Sequence, residues 1–250
     1  MNEDYWDIKA VDRELLGSVI SSSATICDVG GGAGVDAIPM ATVADFLVLV
    51  ELDKELLRIA KLHKLHNLEC IRCDACHLPF REESFNIITC FSVLDHLPDM
   101  QRVSRSLAEF AFSCKRGGNV VVTVPNKLFI IGTVCSYIQK LGKKNAYFEQ
   151  RFTPKKLQKM LQAYGLLPVS FDSRSPEVIG SSIIRNNIPE IFAKLPIFRG
   201  FATLLCKVFA ILNRSGKYCV KFTGARFGYL TVKTWPRHQL FRNSGSLFVP

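Results

Sequence analysis

Tryptophan is scarce in this chain, two residues in 250, and acidic residues almost vanish from its last part. Residues 181–250 hold 11 basic side chains and one acidic, whereas residues 1–180 hold 21 of each, so the whole net charge of +10 sits in the C-terminal part. No apolar run approaches the ~18 residues of a membrane-spanning helix. The opening MNEDYWDIKAVDRELL lacks the basic start and apolar stretch of a secretory signal. The nine cysteines are therefore expected as reduced thiols in a cytoplasmic protein. With 48% apolar and 22% charged residues, a wholly disordered or collagen-like chain is excluded. A chain of this length buries roughly 70–75% of its unfolded surface and needs no disulfide or metal staple.

What is present is an alternation of short apolar runs and amphipathic segments. Helical spacing over 7–20 precedes a strand at Thr25–Val29, and GGGAG follows at once. FLVLVEL at 46–52 is an unbroken apolar run ended by an acid, the pattern of a parallel strand covered on both faces. A helix is expected over 53–66, strands over 68–73 and 85–91, a helix over 100–114 and a strand over 119–124. Thr153 and Pro154 open a helix that Gly165 ends, and 166–171 and 227–233 read as further strands. Strands alternating with helices every 20–30 residues define an α/β fold, a doubly wound, mostly parallel sheet. The expected organisation is an N-terminal helix or lid over 1–23, a core over 24–180, a basic amphipathic helical insertion over 181–226, and the final strand with a tail over 227–250.

Three acids close the first three strands. Asp28 stands two residues before the glycines at 30, 32 and 34, Glu51 ends the second strand, and Asp74 follows the third. The glycines let the chain turn tightly and bring its backbone close to a ligand. The spacing differs by one residue from the pyrophosphate-binding GxGxxG, and a carboxylate at position 28 would repel a pyrophosphate. It would welcome a positive amine, directly or through water. Glu51 is placed to accept from ribose hydroxyls and Asp74 from an adenine amino group. A nucleoside carrying an amino acid satisfies all three: S-adenosylmethionine.

With these motifs the sequence resembles the class I S-adenosylmethionine-dependent methyltransferases of the type that includes the ubiquinone and menaquinone biosynthesis methyltransferases. The resemblance covers roughly 24–170 and the last strand. It rests on CDVGGGAG at 27–34, VELDKELLRIA at 50–60, CDACHLPF at 73–80, SFNIITCFSVLDHLPD at 84–99, RGGNVVVTVPN at 116–126 and RFTPKKLQKMLQAYGL at 151–166. It implies a seven-stranded sheet and methyl transfer from S-adenosylmethionine. Asp28, Gly30, Gly32, Gly34, Glu51, Leu52, Asp74, Ala75 and Phe91 are the implied cofactor-binding residues. Asp95 and His96, just beyond the fourth strand, are the implied candidates at the methyl group or the acceptor. Asn86 departs from the family, which usually has Asp after Phe, and the segment before the first strand is short for a lid.

Cys70, Cys73, Cys76 and His77, with His63 and His66 upstream, invite a metal reading. A tetrahedral site needs four convergent ligands, and this cluster overlaps the adenine segment, so no metal is expected. Residues 191–214 (IFAKLPIFRGFATLLCKVFAILNR) mix large apolar groups with Lys194, Arg199, Lys207 and Arg214, as in an interfacial helix pair or a substrate cap. Such a segment suits an anionic membrane surface and a small or lipid acceptor. The lack of a dense Arg/Lys groove with regularly placed aromatics argues against nucleic acid. The expected function is O- or C-methylation of a small lipophilic acceptor. The alternatives are an RNA or protein methyltransferase and a non-catalytic S-adenosylmethionine-binding protein.

Overall fold

The computed structural model describes residues 10–127, 150, 152–174 and 226–234. Tyr5 and Trp6 of the expected lid, most of the 181–226 insertion and the tail from 235 lie outside the described residues.

Seven strands form one sheet in the order β3-β2-β1-β4-β5-β7-β6. In chain order these are β1 Thr25–Val29, β2 Phe46–Glu51, β3 Leu68–Arg72, β4 Phe85–Phe91, β5 Cys114–Pro125, β6 Leu166–Arg174 and β7 Arg226–Lys233. The first five pair in parallel, and β7 is antiparallel to both β5 and β6. The doubly wound, mostly parallel expectation is borne out. Parallel strands need a cover on each face, which explains why Phe46–Val50 and Ile87–Phe91 read as apolar runs rather than alternations.

Side-chain alternation divides the core in two. Cys27, Val29, Val48, Val50, Ile88 and Cys90 face one layer, and Ile26, Leu47, Leu49 and Ile87 face the other. Helix α4 (Met100–Ser113) and helix α5 (Pro154–Ala163) cover the first face through Val103, Leu107, Phe110, Leu157 and Leu161. The other face is covered by α1 (Ala10–Gly17), α2 (Ala37–Ala41) and α3 (Lys54–Lys61), through Val11, Leu15, Met40, Leu57 and Ala60.

Local chemistry sets the helix starts. Asp53 accepts from Glu55 N and Leu56 N, Asp99 from Arg102 N at 2.7 Å, and Thr153 from Lys156 N at 3.3 Å. Pro154 then stands at the first turn, as expected. Helix α3 ends at Lys61, short of the expected 66. Lys64 takes φ +48°, and the Asn67 amide donates to Ala41 O and Ala44 O, pulling the chain back to begin β3. A short 3₁₀ turn, Leu94–His96, follows β4.

Candidate active site

The carboxyl ends of β1, β2, β3 and β4 meet at one edge of the sheet, beside the crossover of strand order between β1 and β4. Ligands of open α/β sheets bind there. The glycine loop leaves β1 with Gly30 N and Gly31 N donating to Val50 O at 2.7 and 3.2 Å. Gly30 and Gly32 take φ +71° and +56°, which a side chain adopts only with strain. A Cβ on Gly30 would run into the Val93 side chain, so this position admits nothing larger. Around Gly32 a Cβ would meet no atom within 4 Å, so the backbone there faces open space. Gly34 turns the chain at φ +85° between Ile38 and Ala60.

Glu51 binds this loop to the end of β2. Its Oε2 accepts from Gly32 N at 2.9 Å, and its Oε1 accepts from Leu52 N and Asp53 N at 2.7 and 2.9 Å. Oε1 is thus saturated by the backbone, whereas Oε2 keeps a lone pair for a ligand hydroxyl. Leu52 beside it is 57% exposed.

Asp28 lies beneath the loop, only 1% exposed. Its Oδ1 accepts the Thr89 hydroxyl at 2.6 Å, and a Cβ on Gly31 would come within 2.6 Å of its Oδ2. Its charge therefore lies behind the thin glycine backbone rather than on an open surface. Thr89, its register neighbour on β4, was not among the sequence candidates. The signal was there, since Thr89 is the one hydroxyl inside FNIITCF.

Asp74 stands two residues past β3. Its Oδ1 accepts from Cys76 N at 2.9 Å and its Oδ2 meets Arg102 Nη1 at 3.2 Å. Partial burial opposes its charge, but the Cys76 bonds, Arg102 and His77 outweigh burial and hold the carboxyl below its ordinary range. Arg102 comes from the first turn of α4, and nothing in the spacing of the sequence links it to position 74. Ala75, next in the chain to Asp74, is buried, as is Phe91 at the end of β4.

Asp95 and His96 sit together on the 3₁₀ turn. Asp95 is 1% exposed, whereas the His96 side chain is 43% exposed, and its Nε2 lies 3.5 Å from Asp95 Oδ2. Gln150, also absent from the sequence candidates, fixes this turn. Its N–H donates to Asp95 O at 2.6 Å and its Nε2 to Leu97 O at 2.7 Å. Below the turn, burial first, then the charges of Asp95 and Asp28, push the Cys90 thiol well above its ordinary value. Cys90 therefore stays protonated and is a poor nucleophile.

The cysteine cluster diverges. Cys70 faces the α1–α3 layer. Cys73 donates to His77 O at 2.8 Å, and the Cys76 Sγ lies 3.3 Å from Ser106 Oγ. Among the described residues no three His, Cys, Asp or Glu side chains are arranged to hold a metal.

Strand order and strand-end acids together fit a class I methyltransferase domain. S-adenosylmethionine suits the residues present, with open backbone at Gly32, a spare lone pair on Glu51 and a carboxylate at Asp74. Comparison with known proteins gives the same class. Residues 27–122 match a family described as a methyltransferase domain. A ubiquinone biosynthesis O-methyltransferase from Aeromonas salmonicida is 29% identical over 153 residues, covering 57% of this chain and 62% of that one. Its counterpart from Aliivibrio fischeri strain MJ11 is 32% identical over 150 residues, covering 56% and 63%. The match thus spans less than two thirds of these relatives. Among solved structures, a SAM-dependent methyltransferase from Methanosarcina mazei superposes with TM-score 0.61 at 14% identity, covering 88% of this chain and 97% of that one. The cyclase SpnF superposes with TM-score 0.60 at 16% identity, covering 92% and 81%. Residues 27–122 thus match a methyltransferase domain, and the chain is similar to the ubiquinone biosynthesis O-methyltransferases over somewhat more than half of its length.

Proposed function

We propose that this protein transfers a methyl group from S-adenosylmethionine to a hydroxyl oxygen of a small lipophilic acceptor. The observation that carries this reading is Glu51, held by three backbone N–H groups with one carboxylate oxygen still turned to the glycine loop. When bound, S-adenosylmethionine supplies a methyl group already activated on a sulfonium. Glu51 holds the ribose, Asp74 and Ala75 hold the adenine, and the Gly30–Gly32 backbone carries the amino-acid end, with buried Asp28 beneath it favouring the positive amine. Leu52 and Phe91 supply apolar contact. Fixing donor and acceptor in line provides much of the acceleration.

A hydroxyl acceptor must lose its proton. His96 is the group for this, because it is half-exposed on the turn that follows β4 while its partner Asp95 is buried. With the Asp95 carboxylate 3.5 Å from Nε2, Nδ1 is the nitrogen left to take the proton. The likeness to the ubiquinone biosynthesis O-methyltransferases favours oxygen over carbon and a lipophilic acceptor over RNA or protein. The basic, apolar 181–226 segment suits the surface of an anionic membrane, where such an acceptor dissolves. Among the described residues no helix is long and apolar enough to cross a membrane.

Incubation with methyl-labelled donor and a fractionated cell extract tests the reading. Label is expected in the lipid fraction. His96→Asn is expected to lower kcat by about 10²–10⁴ with donor affinity unchanged. Label confined to RNA or protein would contradict the acceptor class, and full turnover by His96→Asn would remove the general base.

A further inference from the structure

The amino end of the sheet holds a second cleft. A cavity of about 260 Å³ opens between the chain leaving α1 and the starts of β4 and β5, and Ser21, Ser23, Asn86, Lys115 and Arg116 line it. The five residues of β1, roughly 17 Å of strand, separate it from the glycine loop.

An interruption of the β4–β5 ladder makes the cleft. Phe85 pairs with Cys114 and Ile87 with Asn119, so Asn86 alone faces the whole stretch Lys115–Gly118. The extra chain bulges out of the sheet. Gly117 takes φ +70°, and a Cβ on Gly118 would lie 2.8 Å from both Asn86 O and Lys115 O, so the bulge requires both glycines.

The charges in the cleft do not balance. Lys115 Nζ donates to Asn86 Oδ1 at 3.2 Å, an oxygen that also accepts Thr25 N at 3.0 Å and Thr25 Oγ1 at 2.6 Å. A neutral amide shared by three donors does not neutralise an ammonium. Arg116 meets Glu83, which lies outside the cleft lining, at 2.8 Å, so the charge at issue in the cleft is that of Lys115. Among the described residues no carboxylate lines the cleft. Ser21 and Ser23, their hydroxyls 3.4 Å apart, add neutral donors to its wall.

We propose that this cleft binds a phosphate-bearing anion, with Lys115 as its charge partner and the Ser21 and Ser23 hydroxyls as hydrogen-bond donors. The anion brings the negative charge that Asn86 lacks. The site is distinct from the donor site and does not depend on the methyltransferase reading.

The test is titration of the full chain at low salt with inorganic phosphate, and separately with phosphatidylcholine vesicles doped with phosphatidic acid. The variants are Asn86→Asp, a near-isosteric change that gives Lys115 a carboxylate, and Lys115→Gln. Both are checked by thermal melting and by donor affinity, which should not change at the far end of the strands. Binding of inorganic phosphate, weakened about tenfold or more by either variant, identifies a free phosphate ligand. No binding of inorganic phosphate, with vesicle binding reduced equally by both variants, identifies a lipid headgroup. Absence of both, or binding that neither variant changes, overturns the proposal.

Discussion

Replacing Glu51 with alanine is expected to weaken binding of S-adenosylmethionine, or of its demethylated product, by about 1–3 kcal/mol, a factor of roughly 5–150. Two losses combine in that figure. The ribose loses a charged acceptor, and Gly32 N, Leu52 N and Asp53 N lose the carboxylate that orders the loop around them. Glu51→Gln separates the two, because one amide oxygen still accepts while the charge is gone. It should fall between wild type and alanine. Calorimetric titration checks both variants, with circular dichroism confirming the fold. Unchanged affinity in a folded Glu51→Ala protein would remove Glu51 from the site.

The largest expected effect on stability lies at the junction of α1 with the sheet. Arg226 opens β7, opposite Pro125 at the carboxyl end of β5. Its Nη2 meets Asp12 Oδ2 at 3.0 Å and donates to Thr123 Oγ1 at 2.6 Å, with both charged side chains buried. Arg226→Met keeps the length of the side chain but takes this cation away from the buried Asp12 carboxylate. Losing one member of a buried pair costs about 3–5 kcal/mol, or roughly 6–20 °C in melting temperature for a chain of this size. Adding Asp12→Asn to Arg226→Met should recover part of the loss, because the buried carboxylate that faced Arg226 is then neutral. Urea denaturation of the two single variants and the double variant measures this. Additive losses would show that the two residues do not act as a pair.

The contrast between these two sites explains what could be read from the sequence. Glu51, Asp28 and Asp74 each end or follow a short apolar strand, and a parallel sheet must bring such ends together. Their convergence was therefore legible. Thr89 was legible in principle, as a hydroxyl in an apolar strand that touches the buried Asp28. The Asp12–Arg226 pair was not, because no local pattern links an exposed-looking acid on the first helix with a base on the last strand. Arg102 was hidden in the same way, since its spacing within α4 says nothing about Asp74 on another element.

The sheet shows the same division. Strand β4 has the expected bounds, because its apolar run is bracketed by Ser84 and the turn after Phe91. Strand β5 was expected from Asn119 and in fact begins at Cys114. Lys115–Gly118 is charged and glycine-rich and carries no strand period, and only pairing of Cys114 with Phe85 across the bulge brings it into the ladder. Helix α3 was read five residues too long, because Leu62 and Leu65 continue the apolar spacing past the point where the chain must reverse into β3.

The most direct test of the donor site is a crystal structure of the protein with the demethylated donor, S-adenosylhomocysteine, bound. The ribose should lie within hydrogen-bonding distance of Glu51 Oε2, the adenine beside Asp74 and Ala75, and the amino-acid end along Gly30–Gly32 above Asp28. Ligand bound elsewhere on the chain, or bound with Glu51 and the glycine loop untouched, would contradict the account.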